Sequence, residues 1–332
     1  MKKTTILLFI VLPTLLFSQQ KRLIQKALET NDISEKIEIF SRVIEINPEN
    51  LDALFYRGNT KQDKEDYIGA INDYTKIILT KPDADTYLNR GNARYSIGNL
   101  SGAMEDYQKS FDLDINLLSA KYSLGCLKYE LEDYNGAFID FSCIINNAQY
   151  RKPRRNQVEF LKKSITMRAF THEALGNFYK AYKDYTLRIF YERFAPNANS
   201  YFNRGQLLLT LKLYDNAVKD FTTSLKLDSS NPYAYFYRGV SNILNSKPLS
   251  SIEDFNQAIK LDELDFDAYL GLAIAYNSLG NVEKAKLYFE RAKSITEFKE
   301  EEEDVIEQFT QSYWHLRHYL AFKSTIVQLE KL

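Results

Sequence analysis

Five arginines are each followed, sixteen residues later, by an aspartate: Arg57 by Asp73, Arg90 by Asp106, Arg168 by Asp184, Arg204 by Asp220 and Arg238 by Asp254. A guanidinium offers a planar fork of donors that fits a carboxylate or a phosphate equally well. The row therefore has two chemical readings, a ladder of sites for an anionic ligand or a set of ion pairs closed within the chain. Co-occurrence separates them. Where the register holds Leu23 or Leu272 in place of arginine, the partner position holds Ile39 or Tyr288, and only Leu124 is matched to an acid, Asp140. Charges that appear and vanish together answer one another, so these ten residues are read as structural ion pairs.

Other polar residues are less constrained. Lys61, Arg94, Lys128 and His172 recur one helical turn after the ladder position. They either present charge to a ligand or reach along their stems to neighbouring acids. The segment AQYRKPRRNQ, Ala148 to Gln157, places Arg151, Lys152, Arg154 and Arg155 around Pro153. It reads as a solvated loop or as a basic contact point for an acidic partner. His315 and His318 lie three apart without the further ligands that a metal site needs. Cys126 and Cys143 fall at unmatched heights on a predicted hairpin, which favours two packed thiols over a disulfide.

Catalysis finds no footing. The chain has 3 His and no nucleophile elbow, phosphate-binding loop or zinc-protease motif, so neither a catalytic residue nor a cofactor or metal is expected. A formal net charge of −1 gives no pull toward nucleic acid.

A second spacing shows what must position these charges. Gly58, Ala70 and Tyr74 recur as Gly91, Ala103 and Tyr107, and as Gly125, Ala137 and Phe141. The series continues through Ala169, Ala181 and Tyr185; Gly205, Ala217 and Phe221; Gly239, Ser251 and Phe255; and Ala273, Ala285 and Phe289. Small residues in these slots let two antiparallel helices approach to the near end of the usual ~8–10 Å range, and the aromatic fills the space beside the contact. Leu23, Phe40, Val43 and Pro48 keep register as a divergent first copy. Gly98, Gly176 and Gly280 suit left-handed helix ends, and Asp66, Asn99, Asp133, Asn177 and Asn281 suit N-caps of the second helices. Pro48, Pro82, Pro196 and Pro232 mark junctions between copies. Each ladder arginine and its aspartate are then equidistant from the turn, about 12 Å along their helices at 1.5 Å per residue, and meet side by side.

The ends differ from the middle. Lys2 and Lys3, the apolar run Ile6 to Phe17, and Ser18 read as a secretory signal peptide cleaved near Ser18. The mature chain is expected to be exported, periplasmic or secreted, with no membrane span left after cleavage. After KEEEED at Lys299 to Asp304, Val305, Phe309, Leu316, Leu320 and Val327 recur at helical spacing. They predict an amphipathic capping helix from Val305 to Lys331. The expected division is 1–18 signal, 19–49 divergent first copy, 50–147 copies two to four, 148–157 basic insertion, 158–297 copies five to eight, and 298–332 cap.

The combined pattern, from about Gln20 to Ile295, resembles the tetratricopeptide repeat (TPR) family, W-x₂-L-G-x₂-Y…A-x₃-F…P over 34 residues. It departs by placing Lys61, Arg94, Lys128 and His172 in four successive tyrosine slots. The resemblance implies an all-α fold, a right-handed α-solenoid whose first helices line a concave groove for a protein or peptide. Its groove positions map to Phe55, Asn59, Leu88, Asn92, Tyr95, Tyr122, Tyr129, Phe202 and Phe236. There the aromatics either grip a ligand or pack on one another, and the asparagines can bond backbone amides. Phe55 and Leu88 stand where carboxylate-clamping relatives carry lysines, so an apolar-anchored peptide or partner helix is expected instead. The expected function is an exported, non-enzymatic binding scaffold. The alternative is a structural part of a cell-envelope assembly that acts through its edges and convex face, with no groove ligand.

Overall fold

Seven hairpin turns share one backbone solution, with or without glycine. Gly98, Gly176 and Gly280 have φ of 75°, 71° and 74°, and Glu65, Glu132, Lys212 and Ser246 take the same left-handed region at φ between 57° and 63°. The next amide in each turn reaches back five residues, as from Asp66 to the Lys61 carbonyl at 2.8 Å and from Asn99 to the Arg94 carbonyl at 2.9 Å. The left-handed conformation costs a non-glycine residue roughly 1–2 kcal/mol. Satisfying the orphan carbonyls at the helix end offsets it. The second helix then starts on a cap: Asp66, Asn99, Asp133 and Asn281 accept from the amides of Gly69, Gly102, Gly136 and Lys284. Asn177 makes no such side-chain bond.

The computed structural model describes residues 18–150, 155–296 and 316–331, and all regular structure among them is helical. Residues 18–29 form α1, followed by α2 (Ile33–Ile46), α3 (Leu51–Asp63), α4 (Tyr67–Thr80), α5 (Ala84–Ser96), α6 (Leu100–Leu113), α7 (Leu118–Glu130) and α8 (Tyr134–Tyr150). Then come α9 (Arg155–Ala174), α10 (Phe178–Tyr191), α11 (Ala198–Thr210), α12 (Tyr214–Leu227), α13 (Pro232–Leu244), α14 (Pro248–Leu261), α15 (Phe266–Ser278) and α16 (Val282–Thr296), with a last helix, α17 (Leu316–Leu329). The chain divides into two units, 1–164 and 165–332.

Within the first unit each helix packs on its sequence neighbour, so each hairpin's apolar face is closed by the next. Leu54, Ala70, Tyr74 and Ile77 enclose Ala93 from the following hairpin. Ala103 and Tyr107 likewise take Leu124 and Leu127 of α7. The close approach is real: a methyl group built on Gly58, Gly91 or Gly125 would stand 2.7–2.8 Å from the ring of Tyr74, Tyr107 or Phe141. This is the α-solenoid arrangement, in which stability is a sum of repeat and nearest-neighbour terms.

In the second unit one cluster runs from Leu208 through Phe221, Phe236, Phe255 and Phe289 to Phe322, Ile326 and Leu329 of α17. Phe255 lies between Gly239 and Gly271, and a methyl on either would meet its ring within 2.9 Å. Helix α17, the described part of the expected cap, packs on α15 and α16, but its buried stripe differs from the expected one at Val327. Val327 is 39% exposed, because the register Phe322, Ile326, Leu329 turns it about 100° or more away from each of them. Val305 and Phe309 lie outside the described residues, as do the signal segment 1–17 and His315.

The basic insertion is not the ten-residue loop expected. Helix α8 runs on to Tyr150 and α9 begins at Arg155, so the extra residues lengthen both helices, to 17 and 20 residues against 13–15 in the other hairpins from α3 to α16. Arg151, Lys152 and Arg154 fall outside the described residues, and Arg155 is the first residue of α9.

Candidate partner-binding site

All five arginine–aspartate pairs meet across their hairpins. Arg90 Nε and Nη2 donate to the two Asp106 oxygens at 2.9 and 2.8 Å, and Arg57, Arg168 and Arg204 hold Asp73, Asp184 and Asp220 with the same two-pronged geometry. Arg238 grips Asp254 through Nε and Nη2 at 3.1 and 2.6 Å. The aspartates are buried and the arginines mostly so. Arg204 gains from this: its bond to Asp220 raises its pKa above the ordinary value. Burial wins at Asp254, raising its carboxyl despite the opposing pull of Arg238. Tyrosines three residues earlier flank three of these arginines, with Arg90 lying 5.5 Å from the Tyr87 ring centre, Arg204 5.9 Å from Tyr201 and Arg238 5.7 Å from Tyr235.

Two further features are not legible in the sixteen-residue spacing, and a third decides between the two readings of the basic tyrosine-slot residues. First, the remaining arginine nitrogen crosses to the preceding hairpin: Arg57, Arg90, Arg204 and Arg238 donate through Nη1 to Ser41, Thr75, Thr186 and Thr222 at 3.1–3.2 Å. The sequence carries the signal, since Leu124 and Leu272, which stand in place of arginine, follow Gln108 and Asn256 at this hydroxyl position. Second, the fourth hairpin replaces its arginine from another place. Lys121, one turn earlier, and Lys128 hold Asp140 at 2.6 and 2.8 Å. Third, the basic tyrosine-slot residues turn inward. Lys61 reaches Asp73 and Arg94 reaches Asp106, both at 2.9 Å, while His172 lies 3.9 Å from Asp184. Three successive aspartates therefore each hold two cations. Burial pulls His172 below the ordinary histidine pKa more strongly than Asp184 lifts it.

The nine groove positions fare unevenly. Asn59 Oδ1 accepts from the Tyr74 hydroxyl at 2.7 Å and from Asn89 at 3.1 Å, and Asn92 Oδ1 accepts from Tyr107 at 3.0 Å. Their oxygens serve two buried tyrosines whose pKa values burial pushes up. Phe55 and Leu88 are half-buried in the hairpin cores. Tyr122 packs on Phe141 and Phe160 at 5.9 Å, and Phe202 on Phe221 and Tyr237. Phe236 must be reassigned: it is 1% exposed, fixed between Tyr237 and Phe255, and is a core residue. Tyr95 is the open one. It is 41% exposed and donates from α5 to Glu130 Oε2 of α7 at 2.7 Å, and that bond raises its pKa. Tyr129 lies beside Glu130, edge-on to Tyr134 at 5.3 Å.

Among the described residues no group of three or more His, Cys, Asp or Glu could hold a metal ion, and no helix is long and apolar enough to cross a membrane. Both cysteines are free thiols, and burial raises the pKa of Cys126.

Residues 84–114, 198–231 and 245–299 match models of the tetratricopeptide repeat. Among solved structures, BtubC from P. vanneervenii is 16% identical over 63% of this chain and 92% of its own, with a TM-score of 0.53. A tetratricopeptide repeat protein from Parabacteroides merdae is 16% identical, covering 84% of this chain and 93% of its own at a TM-score of 0.45. The C-terminal part of a TPR repeat-containing protein from Cytophaga hutchinsonii is 16% identical, with 84% and 95% covered and a TM-score of 0.46. No curated protein matches the chain. The same hairpin geometry recurs along the described residues, and three segments of the chain match tetratricopeptide repeats.

Proposed function

We propose that the protein is an exported, non-enzymatic scaffold that binds a peptide or protein segment along the first helices of its hairpins. One observation carries the reading. Tyr95 stays open and is aligned by Glu130 across α5 and α7, with Tyr129 and half-buried Tyr122 on the same stretch. A hydroxyl-anchored ring loses little conformational freedom on binding and offers both a face and a polar edge. Asn59 and Asn92 spend their oxygens internally, so recognition rests on ring and aliphatic contacts more than on a polar clamp. Ion pairs consume the charge within the hairpins, which leaves the ladder to hold shape. Lys2, Lys3 and the apolar run to Phe17 support export.

The test is affinity capture from a cell-envelope extract with the mature chain and with the Tyr95→Ala variant, alongside an intact-mass measurement of chain recovered from an exporting host. The proposal expects a retained protein that the variant loses while keeping its melting curve, and a chain shortened near Ser18. Equal retention by both forms contradicts groove binding and favours an assembly component that works through its edges and convex face. A full-length, membrane-held product contradicts export.

A further inference from the structure

The outer surface of α10 differs from those of the second helices that follow it. Its exposed positions are Tyr179, Lys180, Lys183, Thr186 and Phe190, continued in the next turn by Arg193 and Phe194. Tyr179, Phe190 and Phe194 are 69%, 56% and 87% exposed. The two acids of this stretch are withdrawn from the surface: Asp184 is held by Arg168, and Glu192 by Arg188 at 2.7 Å and the Ser200 hydroxyl at 2.5 Å. From α10 to the start of α11 the surface therefore shows rings and cations and no carboxylate. By contrast, α12, α14 and α16 expose Asp215, Glu253 and Glu283.

These rings and cations are set before any partner arrives. Lys183 Nζ stands 4.6 Å from the Tyr179 ring centre. The Arg193 guanidinium stands 4.4 Å from the ring centre of Phe190 and 4.5 Å from that of Phe194, and Nη1 donates to the Phe190 carbonyl at 2.9 Å. A guanidinium fixed against two rings keeps its other edge donors for a carboxylate, and the rings offer apolar area at low entropic cost.

We propose that this strip docks an acidic segment of a partner protein that carries apolar anchors at helical spacing. Charge complementarity selects the acid: cations without competing carboxylates steer and align a negative segment. Shape selects a single segment. Tyr179 to Phe190 spans about 16 Å along one helix at 1.5 Å per residue, a length that suits anchors at i, i+4, i+7 and i+11. A flat anionic membrane would also meet Asp215 and Glu253 on the neighbouring second helices, which repel it.

The experiment uses the full mature chain and three probes: a labelled synthetic amphipathic peptide with glutamates flanking Leu and Phe anchors, the same peptide with Gln for Glu, and phosphatidylglycerol–phosphatidylcholine vesicles. Anisotropy should show that the acidic peptide binds and weakens with salt, and that the Gln peptide binds far less. Lys183→Glu and Phe190→Ser, both at exposed positions, should each weaken binding about tenfold or more, as loss of an anchor does, with melting unchanged. Tyr95→Ala should leave this binding intact, which separates the strip from the groove reading. Lack of binding, equal binding of the Gln peptide, or indifference to Lys183→Glu overturns the proposal. So does binding to vesicles in place of the acidic peptide, or a loss confined to Tyr95→Ala.

Discussion

Replacing Arg90 and Arg238 by methionine, one at a time, should give unequal losses from two sites that look alike. Each arginine holds an aspartate through two nitrogens, donates a third bond to a threonine of the preceding hairpin, and lies near a tyrosine ring. The survivors differ. Asp106 keeps Arg94 at 2.9 Å, whereas Asp254 keeps only the Asn242 amide at 3.5 Å. Breaking a buried pair and orphaning its partner costs about 3–5 kcal/mol. One remaining charge-assisted bond recovers about 1.5–3 kcal/mol of this. Arg238→Met should therefore cost about 3–5 kcal/mol and Arg90→Met about 1–3 kcal/mol. Acidity supplies a second signature. Burial raises the folded Asp254 carboxyl pKa, so the folded chain holds that proton more tightly than the unfolded one. Its contribution is present below the unfolded carboxylate pKa and is lost as pH rises through the folded value. Removing Arg238 raises the folded value further, so the Arg238→Met deficit should shrink on acidification. Urea unfolding followed by circular dichroism, at neutral and mildly acidic pH, reads both effects. Equal losses for the two variants, or an Arg238→Met deficit that does not shrink in acid, would refute the reasoning.

Gly91→Ala should destabilise the chain on thermal melting, because overpacking against the Tyr107 ring at 2.7 Å costs about 1–3 kcal/mol, more than the ~1 kcal/mol of helix propensity gained. Asn92→Leu should cost about 1–3 kcal/mol by stranding the Tyr107 hydroxyl, and adding Tyr107→Phe should restore most of it in the same denaturant assay. Because burial lowers the folded His172 pKa, the unfolded chain binds that proton first. The contribution of His172 is thus full above about pH 6.5 and lost below it, and His172→Gln should flatten that limb of the stability–pH curve. Truncation after Lys299 removes Phe322, Ile326 and Leu329 from the second unit's core, each worth about 1.5–3 kcal/mol. It should lower the melting temperature and promote self-association in light scattering.

Much of the fold could be read from the sequence because close helix packing restricts which side chains fit. Gly91 cannot be larger while Tyr107 fills the gap, so the small-to-aromatic interval repeats and exposes the hairpin. The ladder is equally legible, since a buried arginine without Asp106 at its side is too costly to keep. The less legible contacts sit one step further out. The hydroxyls of Ser41, Thr75, Thr186 and Thr222 and the Asn59 and Asn92 acceptors vary with their partners, but those pairings cross other intervals. Lys121 shows that a charge can be kept while its position moves by a turn. Solvent exposure is the least legible quantity, because a neighbouring repeat decides it. Phe202 and Phe236 occupy the same register, yet the cluster around Phe255 and Tyr237 buries Phe236. The surface of α10 likewise depends on which acids are drawn inward, Asp184 by Arg168 of α9 and Glu192 by Arg188 and Ser200.

The central claim is that first helices, with Tyr95 at their open face, form the binding surface. Hydrogen exchange of the mature chain, alone and with the partner it retains, tests this directly. The account predicts added protection concentrated in α3, α5 and α7, including the peptides that carry Tyr95, Tyr122 and Tyr129. Protection confined in that unit to the second helices α4, α6 and α8, with the first helices unchanged, would contradict it.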